Sequence, residues 1–72
     1  MKVSITRRSK LDVHLIDIVR KGILMTTDDV RAAATERTGV YWLTETIRDR
    51  LDAIAQDGVV RWDKSLARWR AD

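Results

Sequence analysis

The spacing of apolar residues changes along the chain, and each change marks an element. Leu11, Leu15 and Ile18 recur at helical intervals, with Gly22 next on the same line. Ser9 stands where an N-cap belongs, and Asp12 fits the acidic position of a capping box. The pattern predicts a helix from Lys10 to about Lys21, stopped at Gly22. Val13, Ile16 and Val19 widen its apolar surface beyond one stripe, enough to cover a hairpin from behind or to form a dimer face. His14 lies near the core face and is expected to be partly buried, with no ligand or catalytic role. Ile23-Leu24-Met25 is a short apolar link. Thr26 or Thr27 caps a second helix, with Asp28 and Asp29 in the first turn, where the helix dipole favours carboxylates. Val30, Ala33 and Ala34 give this helix a small-residue face, and Gly39 fits its C′ position.

Ile47, Leu51 and Ile54 form the face of a third helix, and Leu43 extends that face by one turn. Gly58 ends the helix. Between Gly39 and Ile47 lies Val40-Tyr41-Trp42-Leu43. Either the turn is long or the third helix begins near Tyr41. Tyr41 and Trp42 are expected in the core, with a partner-facing aromatic pair as the other reading. After Gly58 the period drops to two. Val60 and Trp62 alternate with Val59 and Arg61, which predicts a strand, and Leu66 to Arg70 answers it as a second. With Asp63-Lys64-Ser65-Leu66 as the loop, Trp62 opposes Ala67 and Val60 opposes Trp69. Val60, Trp62, Ala67 and Trp69 then share an apolar face, and Arg61, Arg68 and Arg70 share a basic one.

Helix, glycine and hairpin after two upstream helices resemble the winged helix-turn-helix superfamily of DNA-binding regulators. The resemblance runs from about Ser9 to Arg70. It is carried by Thr46-Ile47-Arg48-Asp49-Arg50-Leu51, then Ile54, Gly58, Val59, Val60 and Arg61. It implies a mainly α fold with a small β-hairpin (α+β): three helices with the wing at the C-terminus, in one domain over residues 9–72. It implies that the Ile23–Met25 link pairs with the hairpin as a short strand. It also places Thr44, Glu45, Thr46, Arg48 and Asp49 in the major groove. Residues 1–8 read as a basic arm or short edge strand.

Charge sharpens this expectation. Residues 1–10 carry four bases and no acid, residues 28–57 carry seven acids against four bases, and residues 58–72 carry four bases against two acids. The ends are basic and the middle acidic, so a polyanion meets the arm and the hairpin most favourably. Arg7, Arg8 and Lys10 of the arm are candidate phosphate or minor-groove contacts. Arg61, Lys64, Arg68 and Arg70 of the wing are candidate phosphate contacts. Arg48 has the chemistry to pair with guanine O6 and N7, and Thr46 to meet a thymine methyl or a phosphate. Glu45 and Asp49 oppose binding near phosphates unless they read particular bases.

The chain has no cysteine and one histidine, which excludes disulfides and makes a structural zinc unexpected. No nucleophile–base pair, glycine-rich phosphate loop or metal-ligand spacing is present, so neither an enzyme nor a cofactor is expected. No small-molecule ligand is evident. No apolar run approaches the ~20 residues of a membrane span, so the expected location is the cytoplasm of a prokaryote or of its virus. The function expected is sequence-specific binding of double-stranded DNA by a transcriptional regulator, as a homodimer on a palindrome. The alternative is a winged-helix module that binds protein through Tyr41, Trp42 and the acidic third helix. Single-strand or RNA binding would need exposed tryptophans, and Trp62 and Trp69 are expected in the core.

Overall fold

The structure is a computed structural model that describes residues 9–22 and 24–71. The arm expected over residues 1–8, with Arg7 and Arg8, lies outside the described residues. Three helices, α1 (Lys10–Lys21), α2 (Thr27–Thr38) and α3 (Thr44–Gln56), precede an antiparallel hairpin of β1 (Val60–Asp63) and β2 (Arg68–Ala71). This is the mainly helical layout with a C-terminal wing that the sequence predicts. No described helix is long and apolar enough to cross a membrane.

Each helix contributes its predicted stripe to one core. Leu15, Ile18 and Val19 come from α1, Val30 and Ala34 from α2, and Ile47, Leu51 and Ile54 from α3. Val60 and Trp69 close the core from the hairpin. The broad apolar surface of α1 divides: Val19 faces inward, Ile16 packs on the core edge, and Val13 is exposed. His14 is half-buried, as expected.

The helix ends follow their caps. Ser9 Oγ accepts from Asp12 N at 3.1 Å. The Asp12 carboxylate, however, does not complete a capping box. It is buried and takes both arms of Arg50, Nε at 2.9 Å and Nη2 at 2.6 Å, tying α1 to α3. The full capping box lies on α2, where Thr26 Oγ1 accepts from Asp29 N and Asp29 accepts from Thr26 N. Gly39 and Gly58 take left-handed conformations, φ 76° and 80°, where the two following helices stop. At Gly22 the matter is space and not backbone conformation: a Cβ there would require the Met25 side chain to shift.

The turn into α3 decides one open alternative and corrects two expectations. The turn is the longer of the two alternatives, and α3 starts at Thr44, not Tyr41. Leu43 is 60% exposed and caps the helix without a side-chain bond, so it does not extend the core face. The aromatic pair also splits. Tyr41 is 73% exposed with Arg31 over its ring, while Trp42 is half-buried. Trp42 is held by threonines at the end of α2: its Nε1 donates to Thr38 Oγ1 at 3.0 Å and its N–H donates to Thr35 Oγ1. Thr38 Oγ1 also accepts from Val40 N, so one hydroxyl organises the turn.

The hairpin register differs from the expected one by two residues. Trp62 opposes Trp69, and Val60 opposes Ala71. The loop is Lys64 to Ala67, with Ala67 at φ 54°. A shift of two preserves the alternation of faces, so Val60, Trp62 and Trp69 still share the apolar face. Trp69 takes the place expected for Ala67, and Ala71 the place expected for Trp69. Two partners favour this register. Trp69 exchanges backbone hydrogen bonds with Met25, at 2.7 and 3.2 Å, and its ring meets Trp62 edge-on at 5.2 Å. The expected third strand is thus reduced to one bridge at Met25. Trp62 is only partly core, at 42% exposed, contrary to expectation.

A second ion pair sets a pH dependence. Asp17 on α1 accepts from Arg37 on α2 at 2.7 Å and lies 3.3 Å from Lys21. The Arg37 hydrogen bond, with Lys21 adding to it, holds the Asp17 carboxyl below its ordinary value of 3.8. Its contribution to stability is therefore present above pH 3.8 and is lost as pH falls through the lower folded value. Urea midpoints should show wild type more stable than Asp17→Asn at neutral pH, with the gap closing in acid. A gap that widens in acid would contradict the assignment.

Candidate nucleic-acid interface

The candidate surface is one face of α3 and the hairpin beside it. With Ile47, Leu51 and Ile54 buried, α3 must present its opposite side to solvent. At ~100° per residue, Glu45, Asp49, Asp52 and Gln56 fall within about 60° of arc on that side. All four are exposed, as are Thr44 and Arg48, whereas Thr46 is partly buried. Of the expected reading residues, Glu45 and Asp49 centre on the outward side, Arg48 lies on one flank, Thr46 lies partly buried on the other, and Thr44 is exposed at the first position of the helix. Among the described residues, Glu45, Arg48, Asp49 and Asp52 take part in no ion pair.

The two flanks of α3 have different neighbours. Arg50 faces α1 and is committed to Asp12, so it is structural. Arg48 and Asp52, four residues apart, face the hairpin. With Thr27, Trp62 and Trp69 they line a cleft of about 260 Å³. Of these five, only Arg48 is a candidate from sequence; Thr27, Asp52, Trp62 and Trp69 join it through packing. The signal available was the Arg48–Asp52 spacing, which puts an acid and a base on one helical flank.

The wing cations do not all behave alike. Arg61 and Arg70 are cross-strand partners and, with Trp62 and Asp63, line a second groove of about 270 Å³. Like charges directly opposed destabilise a ladder, and Asp63 takes up part of that charge by bonding Arg70 Nη1 at 3.3 Å. Lys64 is exposed at the tip. Arg68 turns back: its Nη1 donates to the Leu66 and Ala67 carbonyls at 3.1 and 3.0 Å. Asp63 Oδ1 accepts from Leu66 N. Arg68 therefore braces the loop, and the outward cations of the wing are Arg61, Lys64 and Arg70. Lys10, from the arm group, is exposed at the start of α1, remote in sequence from the wing.

Trp62 lines both grooves. Arg48 of α3 and the Arg61–Arg70 pair of the wing therefore line separate grooves that have Trp62 in common. The N-terminus of α3 adds backbone donors, since Leu43 supplies no side-chain cap to its first turn. Among the described residues no cluster of three metal-ligating side chains occurs.

No protein-family model matches the chain, and neither a curated protein nor a solved structure matches it.

Proposed function

We propose that this chain is a sequence-specific double-stranded DNA-binding protein of the winged helix-turn-helix type, a small transcriptional regulator. Its α3 enters the major groove and its wing rests on the flanking phosphates. The observation that supports this reading is the juxtaposition at the hairpin, where Trp62 lines one cleft with Arg48 of α3 and a second groove with Arg61 and Arg70. A base-reading cation on α3 is thereby set near two phosphate-reading cations on the hairpin packed beside it. Arg48 pairs with guanine O6 and N7, and Glu45 or Asp49 accepts from a cytosine amino group, so G·C-rich half-sites are favoured. A module this small reads few base pairs, so it acts as a homodimer on a palindrome, in the cytoplasm.

Fluorescence anisotropy with a labelled random duplex at about 50 and 200 mM salt tests the reading. Four to six phosphate contacts give a log–log slope of about −4 to −5, so affinity falls roughly 10²–10³-fold over that range. Lys64→Ala and Arg61→Ala each reduce the slope by about one unit. On a selected operator, Arg48→Ala costs about 1–3 kcal/mol and relaxes specificity at one position. Absence of binding at the lower salt would refute the proposal.

A specific observation favours a second reading, a protein-binding module. Glu45, Asp49 and Asp52 form an acidic strip, and the adjacent turn exposes Val40, Tyr41 and Leu43. A basic, apolar partner segment would match this surface. On that reading Asp49→Lys abolishes partner capture, and the duplex titration is flat for every variant.

A further inference from the structure

We infer that the cleft between α3 and the hairpin binds a single unpaired guanine base. Its walls are Trp62 and Trp69 from the hairpin, Arg48 and Asp52 from α3, and Thr27 from the first turn of α2. About 260 Å³ falls just below the ~300–1,000 Å³ of pockets that take drug-sized ligands. It suits one planar ring system and not a whole dinucleotide cofactor.

The aromatic wall is preorganised. Trp69 is 2% exposed, its Nε1 donates to Thr27 Oγ1 at 2.8 Å, and its backbone is pinned to Met25. Trp62 leans on it with rings 61° apart and remains 42% exposed. An indole supported on one side and open on another is a stacking platform for a base. Beside it stand one guanidinium and one carboxylate, neither in an ion pair among the described residues. Guanine alone of the four DNA bases has adjacent acceptors, O6 and N7, on one edge and adjacent donors, N1–H and N2–H, on another. The fork of Arg48 suits the first edge and the carboxylate of Asp52 suits the second. Adenine presents no such donor pair to Asp52, and cytosine and thymine have no N7 edge for Arg48.

In a duplex the N1–H and N2–H edge is occupied by cytosine, so the base must be unpaired. Two sources share this chemistry: a free guanine nucleotide, or a guanine extruded from a strand. The inference does not rest on the duplex reading. Arg48 and Trp62 enter both, whereas Asp52, Thr27 and Trp69 are distinctive here.

The test follows the indole N–H signals of Trp42, Trp62 and Trp69 in the full chain by ¹H–¹⁵N NMR, assigned by single Trp→Phe variants. The chain is titrated in separate arms with guanosine monophosphate, adenosine monophosphate, inorganic phosphate, and single-stranded thymidine oligomers with and without one guanine. The expected result is movement of the Trp62 and Trp69 signals, not Trp42, with guanine binding about tenfold tighter than adenine. Asp52→Asn weakens guanine binding about tenfold and leaves the fold unchanged, because Asp52 is exposed and bonds no described residue. Inosine monophosphate, which lacks the N2 amino group, behaves in wild type as guanine does in Asp52→Asn. A response to the mononucleotide identifies a free nucleotide as a ligand, and a response only to the guanine-containing strand identifies an extruded base. Equal responses to guanine and adenine, full affinity in Asp52→Asn, or a still Trp62 signal in every arm would overturn the inference. Duplex binding measured by anisotropy stands or falls separately from all of these.

Discussion

Trp69→Ala is expected to remove about 3–5 kcal/mol of stability, the range for truncating a buried aromatic side chain. At ~0.05–0.15 kcal/mol per residue, a domain of 72 residues has about 4–11 kcal/mol in total. The substitution therefore removes between about a quarter and the whole of that stability. The cost is high because Trp69 serves three partners at once. It fills the core between α1 and the hairpin, bonds Thr27 through Nε1, and meets Trp62 edge-on. Trp69→Phe retains most of the packing and loses the hydrogen bond, which costs about 1–3 kcal/mol through the smaller ring and the lost bond. Trp62→Ala removes a ring that is nearly half in solvent and costs less than Trp69→Ala by at least ~1 kcal/mol. Urea unfolding followed by circular dichroism measures all three. If Trp69→Ala falls within about 1 kcal/mol of wild type, the hairpin is not part of the cooperative unit.

The elements were legible because they depend on local pattern, and the misreadings fell where a distant partner decides. The stripes of α1 and α3, the caps at Ser9 and Thr26 and the stops at Gly39 and Gly58 need only neighbours in sequence. The hairpin face was legible for the same reason, since alternation survives any even shift. Its register was not, because it is set by Met25, far away in the chain, and by the preference of Trp62 for an aromatic opposite it. Leu43 looked like core by period, but a helix that starts at Thr44 has no preceding turn to bury it. The candidate site divides along the same line. Arg48 and the outward wing cations follow from helix and strand periodicity. The cleft beside them, with Trp62, Asp52 and Thr27, exists only once α2, α3 and the hairpin are packed. Arg68 was placed on the basic face by the alternation of the strand, yet the carbonyls of its own loop claim its Nη1 group.

Asp12 shows how a local rule and a distant partner compete for one side chain, and it yields the second large prediction. In sequence it sits at the capping-box position after Ser9, but it also lies on the line that Leu15 and Val19 continue into the core. A carboxylate buried there needs a cation, and Arg50 supplies two charge-assisted hydrogen bonds. This partner holds the guanidinium charged, since the Asp12 hydrogen bond raises Arg50 above its ordinary value. The pair is unevenly buried: the side chain of Asp12 is 4% exposed and that of Arg50 is 44%. Removing either partner should therefore cost different amounts. Asp12→Ala frees an arginine that swings into water, and costs about 1–2 kcal/mol. Arg50→Ala strands a carboxylate inside the protein, and costs about 3–5 kcal/mol, the range for breaking a buried pair. The double variant Asp12→Leu/Arg50→Met replaces the pair with apolar volume and is expected within about 1 kcal/mol of wild type, or above it. Equal losses from the two single alanine variants would show that Asp12 is hydrated when Arg50 is gone. A double variant as unstable as Arg50→Ala would show that the α1–α3 contact needs the ion pair for its geometry and not only for neutralising the buried acid.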